Sequence, residues 1–315
     1  MNRRIIFLLL TGGCCIADVA MAQRLAIQPV QWILEASTGV NGWAYIAPDG
    51  STITFSHSLD RRTFELLATD IQGRKLRPFL ASPPAASLTR GAWSRPHRRI
   101  AFNGSGSDGS DMAIYVADAH GENVQRIPVK GLSGQFLYPS WTPDGRSVVV
   151  VEAAATGENT LYRIDVETGD RKALTNPSRV LAGMPSVSPD GNVVAFAGQM
   201  NEGQKYDQSR NQIWLLPMDG GEPTAISAGQ GRQPDWSPDG QRLAFASGRG
   251  DPAGHHAVFV VDRDGQNLTR MTEHIVNAQH PVWSPDGTWL VFSAQADEKG
   301  EVFGLARISV PKVAR

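Results

Sequence analysis

Six residues recur at intervals of 47, 48, 46, 49 and 47 and differ in kind: Trp43, Arg90, Tyr138, Met184, Gln233 and His280. Two aromatics, a methionine and an arginine among them are types enriched where proteins bind proteins, so their chemistry is recognition. Other candidates carry less. Gly104-Ser105-Gly106-Ser107-Asp108-Gly109 spells G-x-G-x-x-G, but that phosphate cradle needs a helix after it, and the strand-like Ile114-Tyr115-Val116 follows. Asp108 and Asp111 offer oxygens to a cation, as do Asp262 and Asp264, yet neither spacing completes a calcium loop, and Asp262 to Gly265 reads as a hairpin turn. His255 and His256 are adjacent and would face opposite ways in a strand, while His274 and His280 converge only through tertiary structure. No metal site, no cofactor and no catalytic set is expected. Arg95, His97, Arg98 and Arg99 form a basic cluster that reads as a solvated hairpin tip or a docking patch for an acidic partner.

What spaces the six residues is a repeat. Trp236-Ser237-Pro238-Asp239-Gly240 returns at Trp283 to Gly287 and, with one change, at Trp141 to Gly145. Weaker copies start at Ile46 and Val187, and Trp93 to His97 is a degenerate one. A period near 45 residues built from short apolar segments and turns signals a propeller or similar array. Pro presets φ, Asp favours turns and Gly tolerates positive φ, so each copy joins two strands. The second strand alternates: Ile53 and Phe55, Ile100 and Phe102, Val148 and Val150, Val194 and Phe196, Leu243 and Phe245, Leu290 and Phe292. A third strand follows in every copy, and a shorter, more polar fourth in five. The expected fold is all-β, a six-bladed β-propeller of four-stranded antiparallel blades. The blades cover about 43–80, 90–128, 138–175, 184–227, 233–272 and 280–312. The sixth lacks a fourth strand, and Gln31 to Glu35 is expected to pair antiparallel with Phe303 to Ile308 and close the ring. Trp93, Trp141, Trp236 and Trp283 recur at one position and read as packing between blades.

Residues 1–22 read as a signal peptide: Arg3 and Arg4, an apolar run from Ile5, and Ala20-Met21-Ala22 as the cleavage site. The propeller then occupies 23–315, in the periplasm. Thr11-Gly12-Gly13-Cys14 loosely resembles a lipoprotein site and Asn2 to Phe7 a twin-arginine signal. Cys14 and Cys15 both fall in this segment, which leaves the mature chain without disulfide or thiol chemistry. A net charge of −1 argues against general nucleic-acid or anionic-membrane binding. No membrane span and a monomer are expected.

The repeat Trp-Ser-Pro-Asp-Gly-x-x-Leu-Ala-Phe-x-Ser, with its later Val-Asp-x-Asp-Gly turn, resembles the propeller repeats of TolB over about residues 40–310. It is also similar to repeats of prolyl-oligopeptidase-type peptidases and the tricorn protease. The resemblance implies a TolB-like propeller without TolB's N-terminal α/β domain, and no Gly-x-Ser-x-Gly elbow of the peptidases occurs. The expected function is a non-enzymatic module that binds an envelope protein or peptide. Alternatives are a metal-dependent glycan lyase or hydrolase, which some TolB-like propellers are, and a small-ligand or carbohydrate binder in the central funnel. Propeller geometry places the six recurring residues and the long loops 103–111, 198–211 and 247–256 at one mouth of the channel, opposite the Pro-Asp-Gly turns. There Trp43 and Tyr138 are expected to act as apolar anchors and Arg90 to meet an acidic group.

Overall fold

The computed structural model describes residues 27, 29–94, 96, 98–131, 134–226 and 230–311. Residues 1–22, expected to be a signal peptide, with both cysteines, as well as Arg95 and His97, lie outside the described residues. Within them the architecture is a β-propeller of four-stranded antiparallel blades. The two helical elements among the described residues are single 3₁₀ turns, Gln208–Arg210 and His274–Val276. No described helix is long and apolar enough to cross a membrane.

Each repeat builds the same meander. In the fifth, Arg232–Trp236, Arg242–Ser247, Ala257–Asp262 and Thr269–Arg270 follow one another from the channel outward. Repeats two, three, four and five each form a separate four-stranded sheet. The first and sixth share one sheet of eight strands, joined by a single parallel bridge between Val40 and Phe303. In that sheet Gln31–Leu34 runs antiparallel to Phe303–Ser309, with Gln31 opposite Arg307 and Trp32 opposite Ala306. The expected pairing of these two segments is therefore present.

The period-two alternation explains the core. The twelve apolar residues of the six alternating pairs are at most 2% exposed, because both faces of each blade pack on a neighbour. The outer strands, such as Arg77–Pro78 and Gln125–Arg126, are exposed and two residues long. Short, polar outer strands offer little to edge-to-edge aggregation.

The repeated motif is a hydrogen-bonded unit. Ser237 Oγ donates to Asp239 Oδ1 at 2.6 Å and accepts from the backbone N–H of Arg242 at 2.9 Å. Asp239 Oδ1 also accepts from the N–H of Gln241 at 3.1 Å. Thr142 with Asp144, Ser188 with Asp190 and Ser284 with Asp286 repeat the arrangement. Hydroxyl and carboxylate together satisfy backbone donors that the turn leaves unpaired. The tryptophans tie repeats together: Trp141 Nε1 donates to Ala92 O at 3.0 Å and Trp236 Nε1 to Ser186 O at 3.1 Å, each in the preceding repeat. Trp93 Nε1 reaches Thr54 Oγ1 at 2.9 Å in the same way.

A second contact repeats at the blade edges. Gly121 and Gly169, both at positive φ, lie against the carbonyls of Phe79 and Pro128, so close that a Cβ would come within 2.1 and 1.5 Å of the oxygens. Phe79 and Pro128 follow the outer strands of the preceding repeats. Gly73 holds the equivalent place in repeat one, and its Cβ would lie 1.9 Å from the carbonyl oxygen of Ile33 in the N-terminal strand.

Candidate functional site

The six recurring residues share an unusual backbone. Trp43, Arg90, Tyr138, Met184, Gln233 and His280 all have φ between 48° and 59°. A side chain at positive φ crowds its own carbonyl and costs about 1–2 kcal/mol, so it persists only where the surroundings impose it. The cause is a register shift in each innermost strand, between Gly42 and Tyr45 in the first repeat, Leu137 and Ser140 in the third, and Arg232 and Asp235 in the fifth. The same shift lies between Thr89 and Ala92, Gly183 and Ser186, and Gln279 and Val282. Such bulges re-aim a side chain. Here they bring five of the six onto one cavity of 60 Å³ on the channel, lined by Trp43, Tyr138, Met184, Gln233 and His280.

The sixth, Arg90, lies between two rings. Its guanidinium carbon is 4.9 Å from the Trp43 centroid and 4.1 Å from that of Tyr138, and Nη2 donates to the Tyr138 hydroxyl at 3.3 Å. Trp43 meets Phe64 edge-on at 5.3 Å and the His280 ring at 4.9 Å. The N–H of His280 donates to Gln233 Oε1 at 2.9 Å. Met184 is buried, and the other five are half-buried. The expected anchors Trp43 and Tyr138 thus form a stack with Arg90 rather than three separate contacts.

Two of the long loops come to the same mouth. Tyr206, in the 198–211 loop, receives Asn211 Nδ2 at 2.7 Å, and its hydroxyl lies against Gly183 beside Met184. His256 ends the 247–256 loop and accepts from the N–H of Ala278, one residue before the innermost strand of repeat six. The 103–111 loop starts at Asn103, whose Oδ1 accepts from the N–H of Tyr138 at 3.2 Å.

Burial sets the charges here. Desolvation first, then Arg90, Arg232 and His256, hold the His280 imidazole down at about 3. Burial, then Arg232, lowers His256 to about 4. Both rings are neutral at pH 7. Burial also pulls the Arg232 guanidinium below its ordinary value and pushes the phenols of Tyr45 and Tyr206 upward.

At the other end the channel opens into a cavity of 540 Å³. Its walls are the recurring Pro48, Pro143, Pro189 and Pro285 and the motif tryptophans, with Tyr45 and Asp235 deeper in. Asp235 Oδ2 accepts from the N–H of Trp283 at 2.8 Å.

The remaining candidates fall elsewhere. A strand, Ala113–Ala117, follows the glycine-rich run, which begins inside the strand Ile100–Ser105 and continues as a turn closed by the Gly106 N–H on Ser110 O. Asp108 accepts from the N–H of Ser110, and Asp111 pairs with Arg126 at 2.9 Å. Asp262 closes its turn through the N–H of Gly265 donating to the Asp262 carbonyl. His255 Nδ1 lies 3.2 Å from Asp251, and His274 Nδ1 is 3.3 Å from an Arg270 nitrogen. Among the described residues no three His, Cys, Asp or Glu side chains converge as a metal site. Of the basic cluster, Arg98 pairs with Asp49 and Arg99 with Glu167, ties to neighbouring repeats on the turn face.

Arg232, Tyr206 and His256 belong to the mouth, although counting along the repeat does not reach them. Arg232 precedes a ring position by one residue, and the other two arrive on loops of irregular length. Pro139, Pro185, Pro234 and Pro281, each directly after a ring residue, were the readable hint that this position is special in four repeats.

The sequence matches the TolB beta propeller domain family over residues 20–208 and 204–309. An uncharacterized protein of Agrobacterium fabrum is 26% identical over 201 residues, 63% of this chain and 62% of that protein. The Tol-Pal system protein TolB of Legionella pneumophila is 30% identical over 117 residues, 36% of this chain and 26% of that protein. The chain thus covers less than two thirds of either relative. TolB from Acinetobacter baumannii superposes with a TM-score of 0.58 at 20% identity, covering 93% of this chain and 68% of that one. An oligogalacturonate lyase in complex with manganese gives 0.56 at 14% identity, covering 90% and 97%. At these identities the structural likeness concerns the fold alone.

Proposed function

The chain belongs to the TolB β-propeller domain family, and from that premise we propose an exported, non-enzymatic propeller that binds an envelope protein or peptide over the Trp43–Arg90–Tyr138 mouth. The observation that carries this reading is the ring of six bulges. Repetition has kept one strained backbone at all six positions while the side chains on it differ throughout. At the opposite mouth the Pro and Trp residues repeat, and turn and packing geometry account for them. A conserved scaffold with divergent side chains is how recognition sites are placed on rigid folds.

The eight-stranded sheet counts as two blades in this reading, so the propeller has six, and Gln31–Leu34 closes the ring as the outer strand of the last. Gly73 against Ile33 supports this, since it repeats the contacts of Gly121 and Gly169 with preceding outer strands. Export to the periplasm, with cleavage after Ala22, rests on the Arg3-Arg4 start and the Ala-Met-Ala site.

A manganese-dependent lyase is the second reading, carried by the shared fold of a lyase whose structure holds that metal. It ranks lower because, among the described residues, no three His, Cys, Asp or Glu side chains converge, and His256 and His280 at the mouth gain no third ligand. Incubation with oligogalacturonate and manganese, followed by ultraviolet absorbance of unsaturated product, separates the two readings. For the binding reading, photo-crosslinking residues placed at positions 43 and 138 should yield adducts with an envelope protein. Adducts obtained only from residues at the Pro-Asp-Gly mouth would reject it.

A further inference from the structure

Buried side-chain nitrogens collect at the Trp43 mouth without partners. Trp43 Nε1, Arg90 Nε, Arg232 Nε, His256 Nε2 and His280 Nδ1 are all inaccessible and form no hydrogen bond among the described residues. His256 is itself only 8% exposed. Arg90 and Arg232 stand three repeats apart, so they enter the ring from opposite sides, and neither takes part in an ion pair among the described residues. The acid that acts on Arg232, Asp207, lies exposed on the loop rim. Arg90, Arg232 and His256 all act on the ring of His280, which lines the small cavity together with Trp43, and Asp235 is the acid in that lining. A buried charge without a counter-charge is costly, and an arriving anion relieves that cost through charge-assisted hydrogen bonds.

We propose that this mouth is a carboxylate-binding site, in which Arg90 and Arg232, with the indole N–H of Trp43 and the imidazole rings of His256 and His280 beside them, receive an acidic side chain of a peptide partner. A planar guanidinium matches the two oxygens of a carboxylate. The apolar stems of Trp43, Tyr138 and Met184 suit the peptide around the acid. This inference rests on the peptide-binding reading, but a small probe tests it without any partner.

The probe is N-acetylglutamate N-methylamide, titrated into ¹⁵N-labelled mature protein, with the Trp43 indole N–H assigned through W43F. Saturable movement of that signal is expected, with affinity at least tenfold weaker for the N-acetylglutamine counterpart. Arg232→Gln should lose tenfold or more while its melting temperature holds, and Arg90→Lys should keep part of the binding. Equal response to the glutamine probe, or full affinity in Arg232→Gln, overturns the site. Equal displacement by inorganic phosphate overturns its selectivity for carboxylate. Binding of galacturonate without binding of the glutamate probe overturns the peptide assignment. If Arg90→Lys fails to fold, the wild-type titration and Arg232→Gln still decide. Failure of partner docking with a responsive Trp43 indole would reject the peptide reading and leave the carboxylate site standing.

Discussion

Gly73 and Ile33 lie in such close contact that a methyl group on Gly73 would sit 1.9 Å from the Ile33 carbonyl oxygen. Forty residues of chain separate them, yet the contact matches those that Gly121 and Gly169 make on the outer strands before them.

Gly73→Ala should therefore dislodge the N-terminal strand. Gly50→Ala is the control, because Gly50 has the same positive φ but nothing within 4 Å. The control should cost about 1–2 kcal/mol for left-handed backbone alone. Gly73→Ala should cost clearly more in thermal unfolding. Equal melting temperatures for the two variants would mean that strand 31–34 contributes nothing to ring closure.

Trp236 is buried to 2% and donates across to Ser186, whereas Trp93 at the same repeat position is only half-buried. Trp236→Ala should cost roughly 3–5 kcal/mol in denaturant unfolding. Trp93→Ala should cost less, and the reverse order would contradict the packing described here.

The turn motif gives a smaller effect. Ser237→Ala removes the acceptor for the Arg242 N–H and the donor to Asp239, and should cost about 1 kcal/mol. Urea midpoints of the variant and wild type check this.

Acid should weaken the fold through the mouth histidines. His280 and His256 titrate near 3 and 4 in the folded protein and near 6.5 when unfolded. Between those values the unfolded chain binds more protons, so stability falls as pH falls from about 6.5 towards 4. At pH 5 each histidine should contribute a loss of roughly 2 kcal/mol relative to pH 8. Replacing both by Gln should flatten that part of the stability curve, and an unchanged slope would show that neither ring is held neutral.

Much of the fold was legible because its signals are local. Ile53 with Phe55 and their five counterparts alternate at period two, and Pro-Asp-Gly turns space them evenly, so the blades followed from neighbours in sequence. The pairing of Gln31–Leu34 was legible from a spare strand at one end and a missing one at the other. The level of the six mouth residues followed from the period alone. Their positive φ did not, because a bulge depends on two strands at once and only the four following prolines hint at it. Tyr206 and His256 stayed hidden because loops deliver them, and loop lengths carry no period, while Arg232 sits on the innermost strand one residue before the position that the period marks. The enclosure of Arg90 by Trp43 and Tyr138 joins three repeats, and no single segment encodes it.

Site-specific photo-crosslinking tests the binding mouth most directly. A crosslinking residue at position 43 or 138, compared with one at position 143 or 285 on the opposite mouth, should capture an envelope protein only from the first pair. Trp43→Ala with Tyr138→Ala should then weaken binding of that captured protein by about 1–2 kcal/mol or more for each residue, on folded protein. Capture only from positions 143 and 285, or unchanged affinity in the folded double variant, would contradict recognition at the Trp43 mouth.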